Sequence, residues 1–364
     1  MIIHLVCAAR PNFMKVAPLY HALKKENWAT PFIVHSGQHY DLNMSDVFFE
    51  DLLLPEPDLH LGVGSGTHAE QIGNVMIAYE KALLRNRPDL VVVVGDVNST
   101  MAATLSASKM GIKVAHLEAG LRSFDRSMPE ETNRLVTDVL ADILWTPSTD
   151  ADENLIREGI SKKKIHRVGN IMIDSLEMLR NKIDKLHIYS DFGLNRRGYG
   201  LVTLHRPMNV DNPKTLKQLC QILSRIADKI PLIFPIHPRT RKNIEINQLH
   251  PIMNKSQGMF LPNPLGYIHF MNLVFNCRFI ITDSGGIQEE TTYLGIPCLT
   301  VRPNTERPIT ITQGTNHLCG PKDLEDKAQA VLSGYSPKVK KIEYWDGKTA
   351  KRIVDYLKII KNEM

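Results

Sequence analysis

The stretch "ITDSGGIQEETTYLG", residues 281 to 295, reads as an apolar strand that stops at Asp283, turns on Ser284, Gly285 and Gly286, and resumes as a helix with Glu289 and Glu290 in its first turn. Acidic residues at a helix start are ordinary, because they offset the unpaired N–H groups and the positive end of the dipole. The glycines carry the sharper reading. With no Cβ to block approach, the same N–H groups bind a phosphate, and a carboxylate one turn on accepts hydrogen bonds from a sugar hydroxyl. A strand that turns on glycine into a helix is also the building unit of a parallel α/β sheet, so the rest of the chain is expected to repeat it.

The repetition is there on both sides. Short apolar runs at 2–8, 32–36, 90–95, 113–118, 143–146 and 165–169 alternate with longer helical patterns, and the series starts afresh at 201–205, 232–237, 279–284 and 298–302. A chain of 364 residues exceeds the size at which one core stops growing. The expected fold is therefore α/β, with two doubly wound Rossmann-like domains: one over 1–170, a join over 171–198 where strand regularity lapses, and a second over 199–345. The amphipathic stretch "TAKRIVDYLKIIKN", within a final segment 346–364, is expected to pack back on the first domain. Ligands of such sheets bind at the carboxyl ends of the strands, so polar residues there should converge on a cleft between two facing domains.

Composition narrows the function. The formal charge of +5 is small for the length, and the basic runs "SKKKIHR" (161–167) and "PKVKKI" (337–342) stand apart, which argues for a small anionic ligand and against nucleic acid as a partner. Cys7, Cys220, Cys277, Cys298 and Cys319 form an odd set without C-x-x-C spacing, so they read as reduced core residues of a cytoplasmic protein and not as a disulfide framework or a zinc site. The N-terminal run is too short for a signal peptide and no apolar run approaches 18 residues, which argues against a membrane location.

The usual cofactor motifs fail. The nearest approach to G-x-G-x-x-G is "GVGSGT" (62–67), with Thr67 in the last position, and no acidic residue closes a strand about 20 residues later, so NAD is not expected. No P-loop, no G-x-S-x-G and no H-E-x-x-H is present, and no metal is expected. What remains is a set of charged residues where strands end. Arg10 and Lys15 follow the first strand, Asp96 and Glu118 close two successive apolar runs, and "MPEETNR" brings Glu130, Glu131 and Arg134 to a helix start. A carboxylate closing a buried strand is costly unless paired or used, and Asp96 has an N-cap of the following "NST" helix as its ordinary alternative. In the second half His205 and His237 each end a strand beside an arginine. Carboxylates in the first domain with basic donors and a glycine-opened helix in the second suggest proton transfer in one and a held diphosphate in the other.

The motifs "ARPNFMK", "SGQHYD", "VVGDVNST", "HLEAGLRS", "MPEETNR", "TLHRPMN", "PIHPR", "TDSGGIQEE" and "TERP" resemble, in order and spacing, those of the UDP-N-acetylglucosamine 2-epimerases over nearly the whole chain. The resemblance implies the GT-B fold, a homodimer, and inversion at C2 of a UDP-2-acetamido sugar through loss and re-addition of UDP, with neither NAD nor metal. It implies Asp96, Glu118, Glu130 and His205 as catalytic residues. It further implies Ser284, Gly285 and Gly286 on the diphosphate, Glu290 on the ribose, Arg10, Lys15, Arg134 and Arg307 on sugar and phosphate, and "PNPLGYIHF" (262–270) as the uracil pocket. His237 joins the substrate-binding set from its place at a strand end.

One departure stands out. Relatives activated by a second molecule of substrate show Q-H-x-x-x-L-x-Q and H-R-R, whereas this chain keeps Gln38 and His39 but has Asn43, Ser45 and Pro207 at the other positions. The resemblance therefore does not carry allosteric activation with it, and the pattern is also similar to relatives that act on UDP-2,3-diacetamido-2,3-dideoxy-glucuronate. A GT-B glycosyltransferase, a hydrolysing 2-epimerase and a nucleotide-sugar sensor share the nucleotide contacts; the carboxylate set argues against the glycosyltransferase and the sensor, while the hydrolysing epimerase shares most of the motifs and is separated by release of UDP.

Overall fold

The structure, a computed structural model, describes residues 1–8, 10–37, 51–335 and 339–362. The chain divides into two compact units, Met1–Leu179 with Glu343–Met364, and Arg180–Ile342. The crossing falls inside the helix Ile171–Asp184, which together with the short 3-10 helix Ile188–Phe192 occupies the segment expected as a join.

The first unit holds a seven-stranded sheet built from β1 (Ile2–Cys7), β2 (Thr30–His35), β3 (Leu59–His60), β4 (Leu90–Val94), β5 (Lys113–Leu117), β6 (Ile143–Thr146) and β7 (Ile165–Arg167). All its pairings are parallel, and the order is β3-β2-β1-β4-β5-β6-β7. Helices cover both faces, which is why "LVVVV" in β4 is a continuous apolar run buried along its whole length. The helix Thr349–Ile360 packs on the helix Arg10–Lys24, and its first two N–H groups donate to Asp174.

The second unit repeats the plan with β8 (Gly200–Thr203), β9 (Leu232–Ile233), β10 (Met259–Phe260), β11 (Phe279–Thr282), β12 (Cys298–Val301) and β13 (Asn316–Cys319), all parallel, in the order β10-β9-β8-β11-β12-β13. Two Rossmann-like units of this kind compose a GT-B fold. In each, the strand order reverses beside the first strand, between β1 and β4 and between β8 and β11, the switch points at which open α/β sheets bind ligands. Three strands escaped the periodicity: β3 and β10 are two residues long, and β13 opens on two polar residues, Asn316 and His317, within a polar surround. The five cysteines are buried and unpaired. Among the described residues no helix is long and apolar enough to cross a membrane.

Candidate active site

At the carboxyl end of the first sheet, the chain leaving β1 gives its Ala8 N–H to the Asn12 side chain, which in turn donates to the Val94 carbonyl at 3.2 Å and ties the β1 and β4 ends together. Lys15, one turn on, forms a buried ion pair with Glu118 just past β5. Gly95 lies between them with φ +67°, and a Cβ there would stand 3.0 Å from the lysine nitrogen. Glu118 itself holds φ +73°, a left-handed conformation that costs a non-glycine residue and persists where the surroundings enforce it. One of its oxygens takes the lysine; the other is buried without a hydrogen-bond partner among the described residues.

Beneath this pair is a buried network. His116 in β5 donates from one ring nitrogen to the Gly95 carbonyl at 2.8 Å, and its other faces Asp138 at 2.6 Å. Burial alone would raise the Asp138 carboxyl, but the charges of His116 and Arg122 outweigh it and hold the group below the usual carboxylate range. These contacts fix the turn that carries Asp96.

Asp96 does not take up its ordinary alternative as an N-cap. The helix Asn98–Lys109 is capped at Val97 without a side-chain bond, and "NST" lies within it. Asp96 instead accepts from Arg134 at 2.7 and 3.0 Å, and Asn133 donates to its carbonyl. Arg134 is almost fully buried and also pairs with Glu131, whose carboxylate further accepts from the Ser123 and Phe124 N–H groups and the Ser123 hydroxyl. The two glutamates of "PEET" thus part company: Glu131 is buried and committed to the fold, while Glu130 stands exposed on the first turn of the helix Pro129–Leu140. Arg10 opens the helix Arg10–Lys24, and its side chain lies outside the described set.

In the second unit the strand-closing Asp283, fully buried, is the organiser. Its carboxylate accepts from the His205 and Arg206 N–H groups and the Asn209 amide at 2.9–3.1 Å, and lies 3.1 Å from the His205 ring nitrogen Nδ1. This leaves the His205 ring partly exposed, 5.6 Å from the His237 ring. His237 accepts the Arg239 N–H at Nδ1, and burial, followed by the charges of His205 and Arg239, keeps its pKa below the usual value against the pull of Asp283.

The helix Gly285–Leu294 begins directly after Ser284, so Glu289 and Glu290 fall in its second turn, and its first turn contains no acidic residue. The expectation of two first-turn carboxylates is corrected, and with it goes their helix-dipole explanation, since that effect fades within the first turn. Their partners are tertiary. Tyr267 donates to Glu290 at 2.7 Å, and Glu289 lies 3.0 Å from Arg307. Burial pushes the Glu290 pKa up to about 7, with the Tyr267 bond lowering it and the neighbouring Glu289 charge raising it. Arg307 also pairs with Glu306, and both crowd Gly285: a Cβ there would meet the guanidinium at 2.6 Å and the Glu306 carboxylate at 2.7 Å. Around Gly286 the space is open to 4 Å.

The structure thus pairs Lys15 with Glu118 and Asp96 with Arg134 at the first switch point. At the second it gathers His205, His237, Ser284, Gly285, Gly286, Glu290 and Arg307. Sequence reasoning placed Tyr267 only within the stretch 262–270 and missed its bond to Glu290, together with the roles of Asp283, Glu306 and Asn12. Only Asp283 carried a signal, as an acidic residue closing a parallel strand ahead of two glycines.

A sequence profile of the family described as UDP-N-acetylglucosamine 2-epimerase matches residues 21–358. The chain is 41% identical to the UDP-N-acetylglucosamine 2-epimerase of Methanocaldococcus jannaschii over 98% of its length and 99% of the relative's. It is 37% identical to the UDP-2,3-diacetamido-2,3-dideoxy-D-glucuronate 2-epimerase of Pseudomonas aeruginosa, covering 97% of this chain and 98% of that one. A crystal structure of the M. jannaschii protein in complex with UDP-GlcNAc and UDP superposes with a TM-score of 0.89 at 41% identity, covering 99% of this chain and all of that one.

Proposed function

The chain belongs to the UDP-N-acetylglucosamine 2-epimerase family, and from that premise we propose that it is an isomerase inverting C2 of a UDP-2-acetamido sugar, interconverting UDP-N-acetylglucosamine and its 2-epimer UDP-N-acetylmannosamine. The C2 hydrogen is barely acidic. Departure of UDP must therefore lead: the C1–O bond breaks with its electron pair going to the diphosphate, and a base takes the C2 proton, leaving a C1–C2 double bond in a glycal. Return of a proton to C2 from the opposite face, with diphosphate oxygen attacking C1, completes the inversion without net gain or loss of atoms. We assign proton transfer to Asp96, Glu118, Glu130 and His205. The leaving diphosphate goes to the helix start at Ser284–Gly286 and the ribose to Glu290, while Arg10, Lys15, Arg134 and Arg307 are assigned as sugar and phosphate contacts and His237 joins the substrate-binding set.

The observation that supports this reading most directly is Glu118, buried in a left-handed conformation with one oxygen on Lys15 and the other unpartnered among the described residues. A fold-stabilising carboxylate would have both oxygens satisfied, as Glu131 does nearby. A homodimer follows from the family resemblance, and a cytoplasmic location from the odd set of reduced cysteines.

Of the residues that bear on activation by a second substrate molecule, Gln38, His39, Asn43 and Ser45 lie outside the described residues. Pro207 opens the helix Pro207–Val210, where a missing N–H costs nothing. We read the enzyme as unregulated by that route. The diacetamido-uronate is the second substrate reading, favoured by the P. aeruginosa relative. A proton NMR time course in deuterated water with each UDP-sugar separates the readings. The 2-epimer should appear with deuterium at C2, no acceptor present and no build-up of UDP. Accumulation of UDP with free sugar would make the enzyme hydrolysing, and no change without an acceptor would overturn the epimerase.

A further inference from the structure

Past the carboxyl ends of β12 and β13 lies a cavity of about 610 Å³, the size of a small-molecule site. Met208 and Pro321 give it an apolar wall, and Asn209, Arg302, Lys322 and Asp323 give it polar groups. None of the residues assigned to the reaction lines it. Two features mark it as more than a packing defect. First, Arg302 is only 3% exposed; its Nη2 donates to Glu306 at 2.8 Å, yet its Nη1 is buried without a hydrogen-bond partner among the described residues. A buried guanidinium donor left unmatched is costly and calls for an acceptor. Second, the local charge is positive, since Asp323 is taken up by Lys327 at 2.7 Å and by the Gly320 N–H, while Lys322 stands exposed at the rim.

The lining is also wired to the second switch point. Arg302 holds one oxygen of Glu306, whose other oxygen holds Arg307, and both of those residues press on Gly285 at the helix start. Asn209 donates to Asp283, the carboxylate that orients His205. We propose that this cavity is an effector site for a small organic oxyanion with an apolar body, received by Arg302 and Lys322 and coupled through Glu306 and Arg307 to the diphosphate cradle. An oxyanion that draws Arg302 away from Glu306 leaves that carboxylate to Arg307 and to Arg206, which stands 4.0 Å from it, tightening the hold on Arg307 and lowering the positive potential offered to phosphate. Occupancy therefore weakens UDP binding. The coupling, though not the site itself, rests on the assignment of Gly285 to the diphosphate.

Octanoate serves as the probe, with neutral octanamide as its control and the full-length protein labelled at its methionine methyls. Saturable shifts of the Met208 methyl, assigned with Met208→Leu, should appear with octanoate, at least about 10-fold weaker with octanamide, and about 10-fold weaker in Lys322→Glu, a surface change that leaves the fold alone. Saturating octanoate should lower UDP affinity several-fold, within the range typical of linked sites, and the loss should vanish in Lys322→Glu at the same octanoate concentration. No saturable Met208 shift, or equal binding of acid and amide, would overturn the site. Octanoate binding with UDP affinity unchanged would overturn the coupling. Failure of UDP to bind even without octanoate would instead count against the assignment of the cradle, leaving the methyl readout to decide the site.

Discussion

Replacing Glu290 by Gln isolates the consequence of burying a carboxylate in the second turn of a helix. Its pKa rises from 4.5 in the unfolded chain to about 7 in the folded one, because burial disfavours the charged form more than the Tyr267 hydrogen bond favours it. Between those values the folded state binds a proton that the unfolded state has lost. Stability on this account is complete below about pH 4.5, falls as pH rises, and levels off above about pH 7. At 1.36 kcal/mol per pH unit the loss is capped at about 3 kcal/mol. Urea unfolding from pH 4 to 8.5, wild type against Glu290→Gln, should show the difference between the two curves moving by about 2–3 kcal/mol in favour of the variant as pH rises, since glutamine never has to lose a proton. Tyr267→Phe removes the one hydrogen bond that lowers the pKa and should carry the wild-type decline to higher pH. Ribose hydroxyls donating to Glu290 would favour the charged carboxylate, so UDP binding near pH 6.5 should release up to about one proton, measured by calorimetry in buffers of different ionisation enthalpy. Parallel stability curves across this range would refute the buried protonated carboxylate, and UDP binding without proton release would refute its place on the ribose.

Glu118→Gln strands the buried Lys15 and should cost about 3–5 kcal/mol of stability, which Lys15→Met in the same chain largely restores, while turnover stays at least about 100-fold down in both variants; recovery of turnover with stability would make the pair structural. Glu130→Gln should cost about 100-fold in rate with unchanged urea midpoint, whereas Glu131→Gln should lose about 2–4 kcal/mol by breaking buried hydrogen bonds to Ser123, Phe124 and Arg134; the reverse pattern would exchange their roles. Gly285→Val should abolish measurable UDP binding by displacing Arg307 and Glu306, and retained affinity in calorimetry would remove the diphosphate from that helix start. Saturation with substrate should be hyperbolic, and the reverse reaction should run without added UDP-N-acetylglucosamine, whereas a lag or sigmoidal curve would show a working activator site.

The sequence by itself determined the repeating strand-and-helix order, because runs such as "LVVVV" and "FIIT" have no stable place except strands covered on both faces. It also determined which polar residues stand at strand ends, and so the identities of nearly all the candidate site groups. It could not say how those groups pair. Asp96 carried a cap as its alternative until Arg134, 38 residues away, was brought to it, and Glu130 was told from Glu131 only by the family resemblance until the fold buried one and exposed the other. Glu289 and Glu290 looked like first-turn residues until the helix start at Gly285 placed them a turn deeper, against Arg307 and Tyr267. In each case the pattern fixes what is local, the strand, the turn and the side-chain type, while ion pairs, burial and the resulting protonation depend on contacts between segments far apart in the chain, which only tertiary packing supplies.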